Sequence, residues 1–179
     1  MNAIDCIESR RSVRKFKADS IDHSLIEEIV KTASMAPSWK NTQIARYTAV
    51  EGALKDKIAS ECTSAYPHNG DIIKDAPMLM VVSFVKSRSG FERDGSYSTN
   101  KEGGWQMFDA GIATQTFCLA AHDKGLGTVI MGIFDDLDVA KVLELPDTQE
   151  VACLIPIGYP DETPVAPKRK DISDLLSFK

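Results

Sequence analysis

The sequence predicts one domain in which helices and strands alternate, and three observations lead there. The chain's 179 residues suit a single domain with a sizeable core. Short apolar runs closed by turn residues read as strands, while stripes of apolar residues at helical spacing read as helices, and the two kinds take turns along the chain. An apolar share of 43% and a charged share of 26% are ordinary for a soluble globular protein.

Residues 1–9 read as a short helix with Ile4 and Ile7 on one face, and a basic run follows as a turn or extended segment. Ser24-Leu25-Ile26-Glu27 has the form of a capping box, with Asp22 an equal candidate for the cap. The helix it opens carries Leu25, Ile26, Ile29, Val30 and Ala33 as its apolar stripe and stops before Pro37. Residues 46–50 read as a strand, 53–62 as a short helix, 64–70 as a polar stretch and 78–85 as a central strand. Residues 86–104 are rich in Ser, Gly and charge and are taken as a long loop or flap. Residues 104–124 form a long helix, with Trp105, Phe108, Ile112 and Leu119 as its bulky face and small residues over most of the remainder. Lacking a charged face between Asp109 and Ala121, it must be covered all round, in part by another subunit. Strands at 127–133 and 151–157 flank a helix at 136–143, and the Pro-rich stretch 160–167 leads into a tail ending in Leu175, Leu176 and Phe178.

Several function classes fall away. The N-terminus carries acids and no apolar h-region, so it does not read as a signal peptide, and the longest apolar stretch is about half a membrane span. Four separated cysteines without a C-x-x-C read as reduced, mostly buried thiols of a cytoplasmic protein rather than a zinc or iron–sulfur site. His23, His68 and His122 lack metal-ligand spacing. Gly125-Leu126-Gly127 begins like a dinucleotide fingerprint, but the third glycine is missing and the segment runs from helix to strand, so it reads as a helix C-cap. Asp135-Asp136-Leu137-Asp138 lacks the remaining ligands of a calcium loop and reads as an acid-rich helix N-terminus. No nucleoside-triphosphate loop and no G-x-S-x-G elbow is present. A net charge of -5 argues against general nucleic-acid binding.

Against that acidic background stand two tight basic clusters, Arg10-Arg11-Ser12-Val13-Arg14-Lys15-Phe16 and Pro167-Lys168-Arg169-Lys170, at opposite ends of the chain. A phosphate between them would relieve their repulsion, because guanidinium forks match its oxygens and Ser12 adds a hydroxyl donor. The expectation is a phosphorylated small ligand held between the chain ends. A second segment, Ala36-Pro37-Ser38-Trp39-Lys40-Asn41-Thr42-Gln43, is a Pro-terminated helix end followed by hydrogen-bonding side chains. Ser, Asn and Gln clustered this way can address the edge of a planar heterocycle; a plain helix-to-strand loop accounts for the Pro and Ser but less readily for Asn-Thr-Gln.

Taken in order, these two motifs, Asp109-Ala110-Gly111, Gly125-Leu126-Gly127 leading to Met131-Gly132, and Lys168-Arg169-Lys170 resemble the nitroreductase family of FMN flavoproteins. The resemblance leaves 86–103 unmatched. It implies an α+β fold with a central, mostly antiparallel sheet flanked by helices, the C-terminal tail extending onto a partner subunit. It also implies FMN, with NADH or NADPH as electron donor, a homodimer with shared active sites, and a small-molecule acceptor. Arg10 and Ser12 correspond to phosphate ligands, Arg14 to the basic residue at the pyrimidine end of the flavin, and Arg11 to a position lining the cofactor. Pro37, Ser38, Asn41 and Gln43, with Trp39 among them, correspond to the part contributed by the partner subunit. Asn69 corresponds to an asparagine near the isoalloxazine, Met131 and Gly132 to backbone along the flavin face, and Lys168 and Lys170, or Arg169 in the other register, to the C-terminal phosphate ligands. Ile44-Ala45 departs from the family's Pro-Trp after the Gln, and the short 86–103 segment departs from its longer insertion. Phe91, Tyr97 and Trp105 could form an aromatic wall, or lie in the core or on the surface. Rival readings are another flavin reaction on the same fold (dehalogenation or flavin cleavage), a flavin-binding sensor or store, and a nucleic-acid module using the basic runs.

Overall fold

The computed structural model describes residues 1–179 and is built on a four-stranded antiparallel sheet. In chain order its elements are α1 (Ala3–Ser9), α2 (His23–Ala33), a 3₁₀ turn (Trp39–Asn41), β1 (Ala45–Val50), α3 (Gly52–Glu61), α4 (Pro67–Asp75), β2 (Met78–Val85), α5 (Gly104–Asp123), β3 (Gly127–Thr128), α6 (Asp136–Val142), β4 (Gln149–Gly158) and α7 (Ile172–Leu175). The strands lie in the order β1-β2-β4-β3, so the continuous apolar run of β2 is interior, as its composition requires. Strand periodicity divides its side chains between two cores. Leu79 and Val81 join Ile58, Ile73, Val139 and Leu154 on one side. Met78, Met80 and Val82 join Ile29, Phe117, Cys118 and Ile155 on the other. Helices thus cover both faces of the sheet, giving the α+β architecture.

One detail settles an alternative that the sequence reading left open, and four depart from it. Asp22, not Ser24, caps α2, its carboxylate accepting from the Ser24 N–H at 2.8 Å. The polar stretch 64–70 runs into the unanticipated α4: Pro67 sits in its first turn, and its inner face holds buried Asn69, Gly70, Ile72 and Ile73. Gly70 is there because α3 passes so close that a Cβ would strike the Ala59 carbonyl. The strand expected over 127–133 shrinks to Gly127–Thr128, followed by a long Val129 N–H bond to the Pro156 carbonyl at 3.4 Å and a bridge at Met131, bonded to Leu154 at 2.8 and 3.1 Å. On α5 the packing is the reverse of the bulky-face reading. Small residues (Ala110, Ala113, Thr114, Cys118, Ala121) and Phe117 face the sheet, while Met107 and Phe108 stand 51% and 58% exposed. Residues 86–103 form a turn-rich segment that is nonetheless anchored, with Ser89 fully buried and Phe91 bridged to Tyr97.

The other local expectations hold. Gly125 takes φ +81° after α5, and the Leu126 N–H returns to the Ala121 carbonyl, the signature of a helix C-cap. Asp135 caps α6. All four cysteines are free and buried, and burial pushes the Cys62 and Cys153 thiols up to about 11. No helix is long and apolar enough to cross a membrane.

The basic segment is held by the sheet. Ser12 bridges Thr128, the Val13 N–H donates to the Thr128 carbonyl at 3.0 Å, and Val13 is buried against Gly127. A Cβ at Gly127 would lie 2.8 Å from the Cβ of Val13, which has no flexible end to move aside. Gly127→Ala therefore forces the 10–16 segment off the sheet, and denaturant titration should register a loss of roughly 1–3 kcal/mol.

Candidate functional site

The two basic clusters meet because the chain's beginning and end run side by side. As β4 leaves the sheet, the Tyr159 carbonyl accepts from the Lys17 N–H at 2.9 Å, and the Asp161 N–H donates to the Lys15 carbonyl at 3.0 Å. Phe16 and Pro160 form an antiparallel bridge. This short zipper points the tail back along the basic run. The result is a cleft of about 340 Å³ lined by Arg10, Arg11, Ser12, Arg14, Pro164, Val165, Pro167 and Arg169. Of the C-terminal trio, Arg169 lines the cleft, and Lys168 and Lys170 do not.

Four guanidinium groups facing one cleft make a strongly anion-seeking surface. Their field reaches α5: His122, near its end, is shifted below its ordinary value by burial first and then by Arg10 and Arg11. Glu162, which the sequence reading did not single out, accepts from the N–H of Arg14 and, at 3.3 Å, of Lys15. An Asp161-Glu162 pair in a Pro-rich stretch gave no signal of its own. It pins the backbone of the run whose arginines line the cleft.

Arg14 also lines a second, adjoining cleft of about 270 Å³, with Tyr66, His68, Asn69, Ile72 and residues 129–133. This cleft explains why β3 breaks off: the irregular backbone of Met131 and Gly132 forms one wall. Asn69, buried on α4, donates its amide N–H to the Ile133 carbonyl at 3.0 Å and fixes that wall. Tyr66 and His68, which pack edge-on at 5.9 Å, were not anticipated because the helix carrying them was not. Arg14 is thus common to the anion-seeking cleft and to this cleft of mixed apolar and polar lining.

The 37–43 segment lies elsewhere. Pro37, Ser38 and Gln43 line a small pocket of about 60 Å³ with Ala33, Tyr47 and Asp109, and no residue of the basic clusters joins them. Two of its bonds are internal: the Gln43 N–H donates to Ser38 Oγ at 2.9 Å and the Gln43 side chain to Asn41 Oδ1 at 3.1 Å. Asn41 and Gln43 are exposed. Trp39 packs against Trp105 with ring centroids 4.7 Å apart, and its indole Nε1 is buried with no hydrogen-bond partner. Trp105 thus joins Trp39 and, edge-on, Phe108 in an aromatic cluster at the surface, and Tyr97 is 53% exposed. Within one chain, then, the structure unites Arg10, Arg11, Ser12, Arg14 and Arg169, and beside them Asn69, Met131 and Gly132. It leaves Pro37, Ser38, Trp39, Asn41 and Gln43 on a separate surface.

A family model described as "Nitroreductase family" matches residues 7–159. A protein from Methanothermobacter thermautotrophicus, provisionally named NADH dehydrogenase/NAD(P)H nitroreductase, is 27% identical over 168 residues, 92% of this chain and 80% of its own. An iodotyrosine deiodinase from Thermotoga neapolitana is 27% identical over 179 residues, covering 88% of each. Among solved structures, a provisionally named nitroreductase from Exiguobacterium sibiricum, in complex with FMN, superposes with a TM-score of 0.85 at 17% identity, over 100% of this chain and 98% of that one.

The cleft geometry separates the three C-terminal bases. Arg169→Ala should weaken binding of a phosphate monoester by roughly tenfold or more, the worth of one charge-assisted contact. Lys168→Ala and Lys170→Ala should cost distinctly less in the same titration.

Proposed function

Because this chain belongs to the nitroreductase family, we propose that it is a homodimeric FMN-dependent oxidoreductase that carries two electrons from NADH or NADPH to a nitroaromatic, quinone or similar electron-poor acceptor. The observation that carries this reading is the single cleft lined by Arg10, Arg11, Ser12, Arg14 and Arg169. Its chemistry suits a phosphate dianion, and the adjoining slot under Met131 and Gly132 suits a planar ring. The chain acts as one FMN-binding domain over residues 1–179.

Bound FMN would supply the redox chemistry, accepting a hydride at N5 and returning two electrons to the acceptor. The protein's part is binding, orientation and electrostatics. Arg10, Ser12 and Arg169 grip the phosphate, and Arg11 adds charge while its Nη1 returns to the Glu8 carbonyl at 2.6 Å. Arg14 stands where the two clefts meet, so its fixed cation stabilises the negative charge gained on reduction. Asn69 has one amide N–H on the Ile133 carbonyl, which leaves its second N–H and its carbonyl oxygen to address the ring edge. Pro37, Ser38, Trp39, Asn41 and Gln43 complete the site of the neighbouring subunit, which accounts for Asn41 and Gln43 facing outward. Donor and acceptor use one pocket in turn, a ping-pong scheme.

The dimer reading draws on exposed apolar side chains. Ile4 and Ile7 of α1, Met107 and Phe108 of α5, and Ile172, Leu175, Leu176 and Phe178 of the tail are each more than half exposed. Beyond Pro164 every residue of the tail is exposed, as expected of an arm that lies on a partner. Reductive dehalogenation is a second reading, favoured by the relationship to iodotyrosine deiodinase.

The purified protein should be yellow, and NADH or NADPH should bleach it until a nitroaromatic or quinone restores the colour. A colourless protein that refuses FMN sinks the proposal; halide release from a halotyrosine without acceptor reduction favours the second reading. Arg14→Ala should retain flavin less well and lower its potential by about 30 mV, if the cation contributes about 1.4 kcal/mol to a two-electron couple.

A further inference from the structure

The 38–43 loop is held in a backbone conformation that its own residues disfavour. Lys40, Asn41 and Gln43 sit at φ 43°, 55° and 49°, the left-handed region, without a glycine among them. Such a conformation persists only where the surroundings over-determine it. Two tethers do this from outside the loop. At one end Asp109, 3% exposed on α5, accepts the Trp39 N–H at Oδ2 over 2.9 Å. At the other, Thr42 Oγ1 lies 2.6 Å from Ser89 Oγ, and fully buried Ser89 donates to the same Asp109 oxygen. One carboxylate oxygen therefore fixes both ends of the loop, directly and through a hydroxyl.

Asp109 makes no ion pair. A carboxylate buried among Ala110, Ala113 and the sheet is costly unless hydrogen bonds satisfy it, and packing alone would be served better by an apolar side chain. Ser89, likewise, belongs to the 86–103 segment that the family resemblance left without a role. We propose that Asp109 and Ser89 are positioning residues: they hold the 38–43 loop in its left-handed conformation so that Ser38, Asn41 and Gln43 meet the flavin of the partner subunit. The flavin half of this inference rests on the function proposed above; the tethering half does not. The 86–103 segment then acts on the site from behind, through the loop it anchors, and Lys40–Glu92, paired at 3.0 Å on the surface, marks the outer edge of that contact.

The test uses the full-length dimer as purified, with Ser89→Ala, Asp109→Ala and Asp109→Asn. Amide hydrogen exchange over 38–43, measured without added flavin, reads the tether. FMN titration and the visible circular dichroism of bound flavin read its consequence. Ser89→Ala should speed exchange in the loop and weaken FMN by roughly tenfold, the equivalent of one hydrogen bond to a charged group. Asp109→Ala should do the same or more. Asp109→Asn should restore near wild-type behaviour, since an amide oxygen in the place of Oδ2 can accept from both the Trp39 N–H and the Ser89 hydroxyl. A general packing role predicts instead that both alanine variants lower the unfolding temperature while loop exchange, FMN affinity and flavin dichroism stay as in wild type; that result overturns the proposal. If the wild type takes no FMN but the exchange pattern changes as stated, the flavin reading fails and the tether stands. If the wild type binds FMN and loop exchange is unmoved, the tether fails alone.

Discussion

Mutual repulsion among Arg10, Arg11, Arg14 and Arg169 is the constraint around which this molecule is arranged. Like charges gathered at one cleft raise the free energy of the empty protein, and the raised energy is what an incoming dianion relieves. The fold tolerates the arrangement because each arginine-bearing segment is fixed by its backbone. Val13 is buried against Gly127, Lys17 and Asp161 zip the chain ends together, and Glu162 takes the N–H groups of Arg14 and Lys15. Arg11 and Arg14 each spend only Nη1 on nearby backbone carbonyls, so the rest of each guanidinium fork remains available to a ligand.

The same economy appears at the second half of the candidate site. There the chain positions the polar residues of 38–43 by tethering a strained loop to a buried carboxylate rather than by giving it glycines. Glycine would relieve the left-handed strain but would leave the loop mobile, since it adds backbone freedom. A rigid loop of ordinary residues is the better platform for side chains that, under the proposed function, would meet a partner's ligand.

Much of this was legible in the sequence, and what was not has physical causes. The strands β2 and β4 declared themselves through continuous apolar runs. The basic clusters signalled their purpose by charge against an acidic background, although which of Lys168, Arg169 and Lys170 faces the cleft depended on how the tail turns at the Phe16–Pro160 bridge. Helix α4 was hidden because its buried face includes Asn69 and Gly70, residues chosen for a bond to Ile133 and for close approach to α3 rather than for hydrophobicity. The face of α5 was inverted because close packing on a sheet selects small side chains, while its bulky residues are left for another surface. Ser89 and Thr42 were invisible: a hydroxyl pair that acts through a buried acid has no spacing to recognise.

The claim that a phosphate is clamped by cations from both chain ends is tested most directly by titrating the wild-type protein with FMN and with riboflavin, which differ only in that phosphate. The account predicts that FMN binds tighter by roughly 100-fold or more, two charge-assisted contacts at about tenfold each, and that the gap narrows as salt screens the cleft. Equal affinity for the two flavins, unaffected by salt, would contradict it.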